Sequence, residues 1–383
     1  MLTKLKQIDV PIVLLLLVFM AASTLVIYSG TFNEGPVYHN YFLKNVAFYV
    51  LGFLVMTGVM LFDYRLLLKV AVYLYLTGVF LLVAVYLFGV EKNGARSWFH
   101  IPFLNLDVQP AELTKIILII ALAAFLARRE GASLAFWRDV VPIGLITFVP
   151  FVLVLIQPDL GNAIIFLVIL AAMYWIGNIR YTQALIGLAA AAACVALFLY
   201  LFQTFHDPIE QYLEAHGKGH WSARIDTFLD PSSVSENEKW QITNSIRAIG
   251  SGGMSGEGFL QGDSLQKGFI PYPYADSIFV VVGEEFGFRG AAILLLLYFL
   301  LIYRMIQISL QCTDLRGSFI IVGIVSMFVF QAFENIGMLV GIMPLTGITL
   351  PFVSYGGTSL ITNMISVGLV LNIKLHQEKP SQY

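Results

Sequence analysis

Val10-Pro-Ile-Val-Leu-Leu-Leu-Leu-Val-Phe-Met-Ala-Ala-Ser-Thr-Leu-Val-Ile-Tyr28 runs nineteen residues without a charge. With Lys4 and Lys6 before it and Ala21-Ala-Ser inside it, the stretch imitates a secretory signal. Its apolar run outlasts the roughly 7–15 residues of a signal's central region, so it reads as an uncleaved first membrane span. A span needs about 20 mostly apolar residues. Ten stretches meet that need: 10–28, 42–62, 66–88, 110–127, 140–156, 160–176, 184–203, 278–303, 319–343 and 352–373. The composition agrees, with 58% apolar and 12% charged residues among 383 and a mean hydropathy of +0.81. Soluble domains carry about twice that charged share. The expected fold is an all-α polytopic membrane protein of about ten transmembrane helices, forming one domain over 1–383. The net charge of -2 points to no class of partner, and the two cysteines, Cys194 and Cys312, make no disulfide framework.

An even number of spans puts both termini on one side. With the N-terminus inside, the cytoplasmic segments collect twelve basic residues, among them Arg65, Lys69, Arg128, Arg129, Arg304, Arg316 and Lys374. The short outer loops hold three: Lys44, Lys92 and Arg96. That asymmetry follows the positive-inside rule, from which long loops are exempt. The long polar insertion between spans seven and eight, 204–276, is therefore expected outside. It carries ten acidic residues against five basic ones and a glycine-rich patch, Ile249-Gly-Ser-Gly-Gly-Met-Ser-Gly-Glu-Gly258. A loop of this length is commonly either functional or disordered. Its dispersed aromatics (Trp221, Phe228, Trp240, Phe259, Phe269, Tyr272, Tyr274) favour an ordered, functional one. The glycine patch lacks the Lys-Ser/Thr of a phosphate loop and reads as turn chemistry. No metal spacing or nucleophile elbow is present; His216 and His220, four apart, are a weak pair.

Ionisable groups at membrane depth are costly unless paired or wetted, which makes each a candidate site. Gln109-Pro-Ala-Glu112-Leu-Thr-Lys115 opens the fourth span, with Pro110 suited to a first helical turn and Glu112 and Lys115 three apart on one face. Either they neutralise each other structurally or they serve a ligand. Gln157-Pro-Asp159-Leu-Gly161 separates spans five and six, where Asp159 could simply cap a helix. Glu334-Asn335 lies within span nine. Arg96-Ser-Trp98 in an outer loop pairs a planar guanidinium suited to phosphate with an aromatic face, or else is an ordinary interfacial belt. Gly283-Glu-Glu285-Phe-Gly-Phe-Arg289 interrupts the eighth span: either the helix begins late or its charges face a polar cavity. Pro344-Leu-Thr-Gly347-Ile-Thr-Leu-Pro351-Phe-Val-Ser-Tyr-Gly-Gly357 cannot be regular helix throughout. Broken backbone near membrane depth is tolerated where it is buried in protein or lines a wet cavity.

Taken together, Asn93–Trp98, Gln109–Lys115, Gln157–Gly161, Ala248–Gly253, Gly283–Gly287 and Pro344–Gly357 resemble, in order, motifs of the SEDS family (RodA, FtsW and SpoVE). The ending and Glu334-Asn335-Ile-Gly-Met look RodA-like, whereas Ser264-Leu-Gln-Lys267 looks more like FtsW. The resemblance implies a ten-span peptidoglycan glycosyltransferase of the bacterial cytoplasmic membrane that polymerises lipid II on the outer face. It implies work beside a class B penicillin-binding protein transpeptidase and other elongation or division proteins, among membrane lipid and without nucleic acid. The family's catalytic aspartate corresponds to Asp276 in Tyr274-Ala-Asp276-Ser-Ile-Phe279. The aspartate and the following Ile-Phe align, but the family's preceding His-Thr and the Phe after the aspartate are absent here. Arg96, Trp98, Glu112, Lys115 and Asp159 are implied to line the cavity.

The reaction fits such residues. A carboxylate base must reach the acceptor sugar hydroxyl, which is the role expected of Asp276. Cations must meet the charge growing on the undecaprenyl diphosphate leaving group, for which Arg96, Arg224 and Lys115 are candidates. One base with inversion suffices, by analogy with inverting glycosidases. No protein cofactor is expected; a divalent cation, Mg or Mn, could bridge the diphosphate. The competing class is a lipid II flippase or transporter, because broken helices and membrane-depth carboxylates also suit transport. Against it, the carboxylates sit at the outer edge and no inverted repeat is evident. A pure scaffold would leave Asp276 and Lys115 without purpose.

Overall fold

The computed structural model describes residues 9–32, 35, 38, 40–92, 95–101, 106–215 and 236–377. Their helices are α1 (Val10–Thr31), α2 (Tyr41–Leu61), α3 (Tyr64–Lys69), α4 (Ala71–Phe88), α5 (Pro110–Leu126), α6 (Val141–Ile156), α7 (Leu160–Ile176), α8 (Tyr181–Thr204), α9 (His206–Ala215), α10 (Glu236–Ser251), α11 (Asp263–Gln266), α12 (Ile278–Leu310), α13 (Leu315–Leu339) and α14 (Gly357–Leu375). Among the described residues nine helices are long and apolar enough to cross a membrane, once the helical turns that carry α5 on to Arg129 and lead into α6 from Phe136 are included, and α7, a mostly apolar helix of 17 residues, is a shorter tenth. The chain is a multi-pass membrane protein.

Helix starts follow local chemistry. Asp9 caps α1, its Oδ1 accepting from Ile12 N at 3.4 Å, and Asp314 caps α13, accepting from Arg316 N at 3.0 Å. Pro110 occupies the first turn of α5, where its missing N–H costs nothing. Helices α5, α13 and α14 are mostly buried and form the centre, while α1, α2, α4, α6 and α12 expose apolar faces to lipid. Helix α8 stands at the periphery: only Phe202 of its 24 residues is buried. At one end of the bundle Asp9 accepts from Arg304 Nε at 2.9 Å and from Lys374 Nζ at 2.5 Å, so the first and last described helices meet there. We call this the terminal end. Asp276 lies at the other.

Three expectations from sequence need correction. First, the loop that holds Arg96 and Trp98 carries a small sheet, which the sequence reading did not foresee. Strands β1 (Val90–Lys92), β2 (Ala95–Ile101) and β3 (Leu106–Val108) form an antiparallel sheet ordered β1-β2-β3, with Glu91 opposite Arg96 and Phe99 opposite Val108. Second, span nine sits four residues earlier than expected and span ten starts five residues later. Helix α13 stops at Leu339, α14 starts at Gly357, and the chain between is irregular. That irregular backbone is satisfied from neighbouring spans, as lipid surroundings require. The Tyr49 hydroxyl donates to Phe352 O, the Tyr298 hydroxyl to Pro351 O, and Ser23 Oγ to Val353 O at 2.7 Å.

Third, α12 does not begin late, and its two carboxylates are buried against neighbouring backbone. It runs from Ile278 and is broken at Gly287 (φ 63°, ψ -160°). The glycine patch packs into that break. Phe288 N donates to Gly253 O at 2.8 Å, Ser264 N to Glu284 Oε1 at 2.7 Å, and Leu260 N to Glu285 Oε1 at 3.1 Å. A Cβ on Gly252 would lie 2.0 Å from Gly283 O, and one on Gly256 2.0 Å from Glu285 O. The patch is turn chemistry, and Gly252 and Gly256 are there because backbone meets backbone.

Candidate functional site

Asp276 sits in the turn that precedes α12. Segment 344–356 clasps this turn through its backbone: Asn335 Nδ2 donates to Asp276 O and to Ile348 O, both at 2.7 Å. Ser354 Oγ donates to Ala275 O at 2.6 Å, and Tyr355 N to Tyr274 O at 2.8 Å. The carboxylate is left with little company. Its Oδ1 is sealed from solvent and has no hydrogen-bond partner, and its Oδ2 lies 3.7 Å from where a Cβ on Gly347 would stand. Burial pushes its pKa up from an ordinary 3.8 to about 6, with the N–H groups of Asp276 and Ser277 pulling the other way.

Across the irregular segment lies a second polar cluster. Lys115 Nζ donates to Glu112 Oε1 and to Asn162 Oδ1, both at 2.8 Å. Asn162 donates in turn to Asp159, from its backbone N to Oδ1 at 3.1 Å and from Nδ2 to Oδ2 at 2.9 Å. Gln109 Nε2 reaches Asp159 Oδ2 at 2.6 Å. Glu112, Lys115 and Asp159, expected in one cavity, are thus brought into one hydrogen-bonded chain. Asp159 does cap α7, so the bland reading holds alongside the clustering. Desolvation also raises its pKa, against the hydrogen bonds from Asn162. The two carboxylate groups of interest meet through segment 344–356. A Cβ on Gly161 of α7 would lie 2.4 Å from Ile348 and 3.1 Å from Thr346. Gly347, between those two residues, faces Asp276.

One expectation shifts. Lys115 is 0% exposed and has two of its three N–H donors committed, so in this conformation it holds the cluster together instead of meeting a phosphate. Arg96 and Trp98 share one face of β2, exposed and half-buried respectively, while Ser97 between them turns inward and donates to Gln157 O at 3.2 Å. The sheet is therefore anchored two residues from Asp159, and Thr358 Oγ1 of α14 fastens β3 through Asp107 O at 2.6 Å. Arg224, together with His216 and His220, lies outside the described residues. Glu334 is fully buried and accepts from Thr346 Oγ1 at 3.0 Å, which makes it part of the clasp.

Sequence reasoning missed Asn162 as a bridge and did not separate the roles of Glu334 and Asn335. The available signal for Asn162 was an amide three residues after Asp159, at the start of an apolar helix.

The match to known proteins follows this geometry. The chain belongs to the FtsW/RodA/SpoVE family of cell cycle proteins, whose family model matches residues 7–379. It is 36% identical over 301 residues to stage V sporulation protein E of Bacillus subtilis, covering 77% of this chain and 76% of that one. It is 32% identical to the peptidoglycan glycosyltransferase MrdB of Escherichia coli over 98% of this chain and 96% of that one. Among solved structures, a chain of a peptidoglycan synthase complex that coordinates polymerization and crosslinking superposes with a TM-score of 0.78 at 29% identity, covering 97% and 99%. The rod shape determining protein RodA of Thermus thermophilus superposes with a TM-score of 0.69 at 28% identity, covering 97% and 98%.

Proposed function

We propose that this protein is a peptidoglycan glycosyltransferase that joins lipid II units into glycan strands, with Asp276 as the general base. The observation that carries the assignment of the base is the isolation of this carboxylate. One oxygen is sealed and unpartnered, no cation among the described residues neutralises it, and its proton affinity is raised toward neutrality. Such a group is poised to take a proton from a sugar hydroxyl near its operating pH. The acceptor hydroxyl loses its proton to Asp276 while its oxygen bonds to the donor's anomeric carbon. The bond from that carbon to the undecaprenyl diphosphate breaks, and the leaving group departs with the electron pair. Arg96, exposed on the anchored strand, supplies cationic charge beside the diphosphate, with Trp98 against the sugar or lipid; Arg224 is a second cation for the same work. Glu112, Lys115 and Asp159 act as positioning residues that keep the start of α7 seated on segment 344–356. Among the described residues no group of three or more His, Cys, Asp or Glu could hold a metal. A Mg or Mn ion would have to be held mainly by the diphosphate itself, and no step is assigned to it.

The pH dependence tests the base. Activity should fall about tenfold per unit as pH drops below about 6, because protonated Asp276 cannot accept. Stability should move the opposite way. A raised carboxyl pKa contributes stability that is complete below 3.8 and is lost as pH rises through about 6. A rate that is flat from pH 5 to 7 would count against Asp276 as base.

We further propose that both termini face the cytoplasm, that 204–276 is extracytoplasmic, and that the functional partner is a class B penicillin-binding protein supplying the crosslinking. Orientation can be read with cysteines in a background lacking Cys194 and Cys312. Ser255→Cys should react with an impermeant thiol reagent on intact cells, and Ser133→Cys should react only after lysis. Both serines are exposed, and they lie at opposite ends of the bundle. The reverse pattern would invert the topology.

A further inference from the structure

A cavity of about 990 Å³ opens at the terminal end, far from Asp276. Helix α5 separates the two regions: its first turn carries Glu112, and the cavity is lined by Ala124, Ala127 and Arg128 at its other end. Seventeen helical residues span roughly 25 Å. The charged lining comprises Arg65, Lys69, Arg128 and Arg316 against Glu130 and Asp314, a surplus of two cations. Asp314 is already engaged, accepting from Arg316 Nε at 2.9 Å and from the Tyr64 hydroxyl at 2.9 Å. Lys69 and Arg128 have no carboxylate partner among the described residues; Arg128 only stacks over Phe125, at 5.9 Å. The uncharged lining is Leu68 of the short helix α3, Ala124 and Ala127 at the end of α5, Thr313, and Leu315 at the start of α13.

We propose that this cavity binds the phosphate headgroup of an anionic membrane lipid, such as phosphatidylglycerol or cardiolipin. A cationic mouth over an apolar wall at the level of helix ends matches a molecule whose charge sits directly above its acyl chains. Lys69 and Arg128, which lack a carboxylate partner among the described residues, meet the phosphate, as long basic side chains with apolar stems do at such boundaries. A soluble phosphate would use the cations but leave that wall wet. The volume lies within the range of small-molecule sites, about 300–1,000 Å³. The site is independent of the reaction assigned to Asp276.

The test is native mass spectrometry of the purified full-length protein in neutral detergent, titrated with cardiolipin, phosphatidylglycerol or phosphatidylcholine. Anionic lipid should be retained and phosphatidylcholine should not. Each cation near an anionic headgroup contributes about a factor of five, so Lys69→Gln/Arg128→Gln should weaken retention about twenty-five-fold. Glu130→Gln should tighten it about fivefold by the same reasoning. The charge-matched Lys267→Gln/Arg289→Gln variant, at the Asp276 end, should leave it unchanged. Equal losses from both double variants, or no loss from the first, would overturn the site. Displacement of the lipid by excess glycerol phosphate would reassign the cavity to a soluble anion and equally end the proposal.

Discussion

Asp276→Asn should abolish glycan polymerisation while the protein still inserts, folds and reaches wild-type abundance. The substitution is nearly isosteric, and the anchors of the turn are backbone carbonyls that it leaves alone: Asp276 O to Asn335 and Ala275 O to Ser354. What disappears is basicity. Loss of a general base costs about a hundredfold to ten-thousandfold in rate, enough to fall below detection in a polymer assay. The fold should gain slightly, because an amide is cheaper than a carboxylate to bury beside an unpartnered site. Purified variant with lipid II, scored for glycan product next to its thermal midpoint, gives both readings. An inactive variant that is also unfolded would say nothing of basicity, so Asp276→Glu serves as a second probe. It keeps the carboxylate one methylene further out and should retain a fraction of the rate.

Removing either partner of the Glu112–Lys115 pair should be severe. Both side chains are buried, and Lys115 is also the donor to Asn162. A lone buried charge costs about 3–5 kcal/mol, a large share of a typical folding free energy of about 5–15 kcal/mol. Glu112→Ala and Lys115→Ala should each reduce membrane abundance strongly. Glu112→Leu/Lys115→Leu removes both charges together and should restore abundance, since an apolar pair suits this interior. Activity should stay lost, because Asn162 and Asp159 lose the ammonium that orders them against segment 344–356. A double variant that polymerises normally would reduce the pair to architecture. Immunoblotting of membranes beside the polymer assay separates these outcomes.

Much of this was legible in the sequence, for a physical reason. Apolar runs of about 20 residues have few alternatives to crossing a bilayer, and charges inside them must be paired, which brought out Glu112, Lys115 and Asp159. Where the runs misled was at 340–356. Ile348, Leu350, Phe352 and Val353 are buried, so their hydropathy is that of a core; it does not require a helix. Pro344, Gly347 and Pro351 carried the warning. The 90–108 sheet escaped notice because two of its strands are only three residues long, too short for an alternation to register. Glu284 and Glu285 looked like misplaced membrane charges. Their partners are the backbone N–H groups of Leu260 and Ser264, just after the glycine patch, and for Glu285 also the Ser29 hydroxyl of α1; no side-chain pattern nearby in sequence announces such bonds. Asn162 and Asn335 went largely unread because an uncharged amide in an apolar helix draws less attention than a charge, although it too needs partners when buried.

The central claim is polymerisation, and reconstitution into liposomes with lipid II and no nucleotide tests it most directly. The wild-type protein should convert lipid II into glycan polymer and release undecaprenyl diphosphate, and Asp276→Asn should do neither. Lipid II that crosses the bilayer without forming polymer, equally in both proteins, would contradict the account and make this chain a transporter.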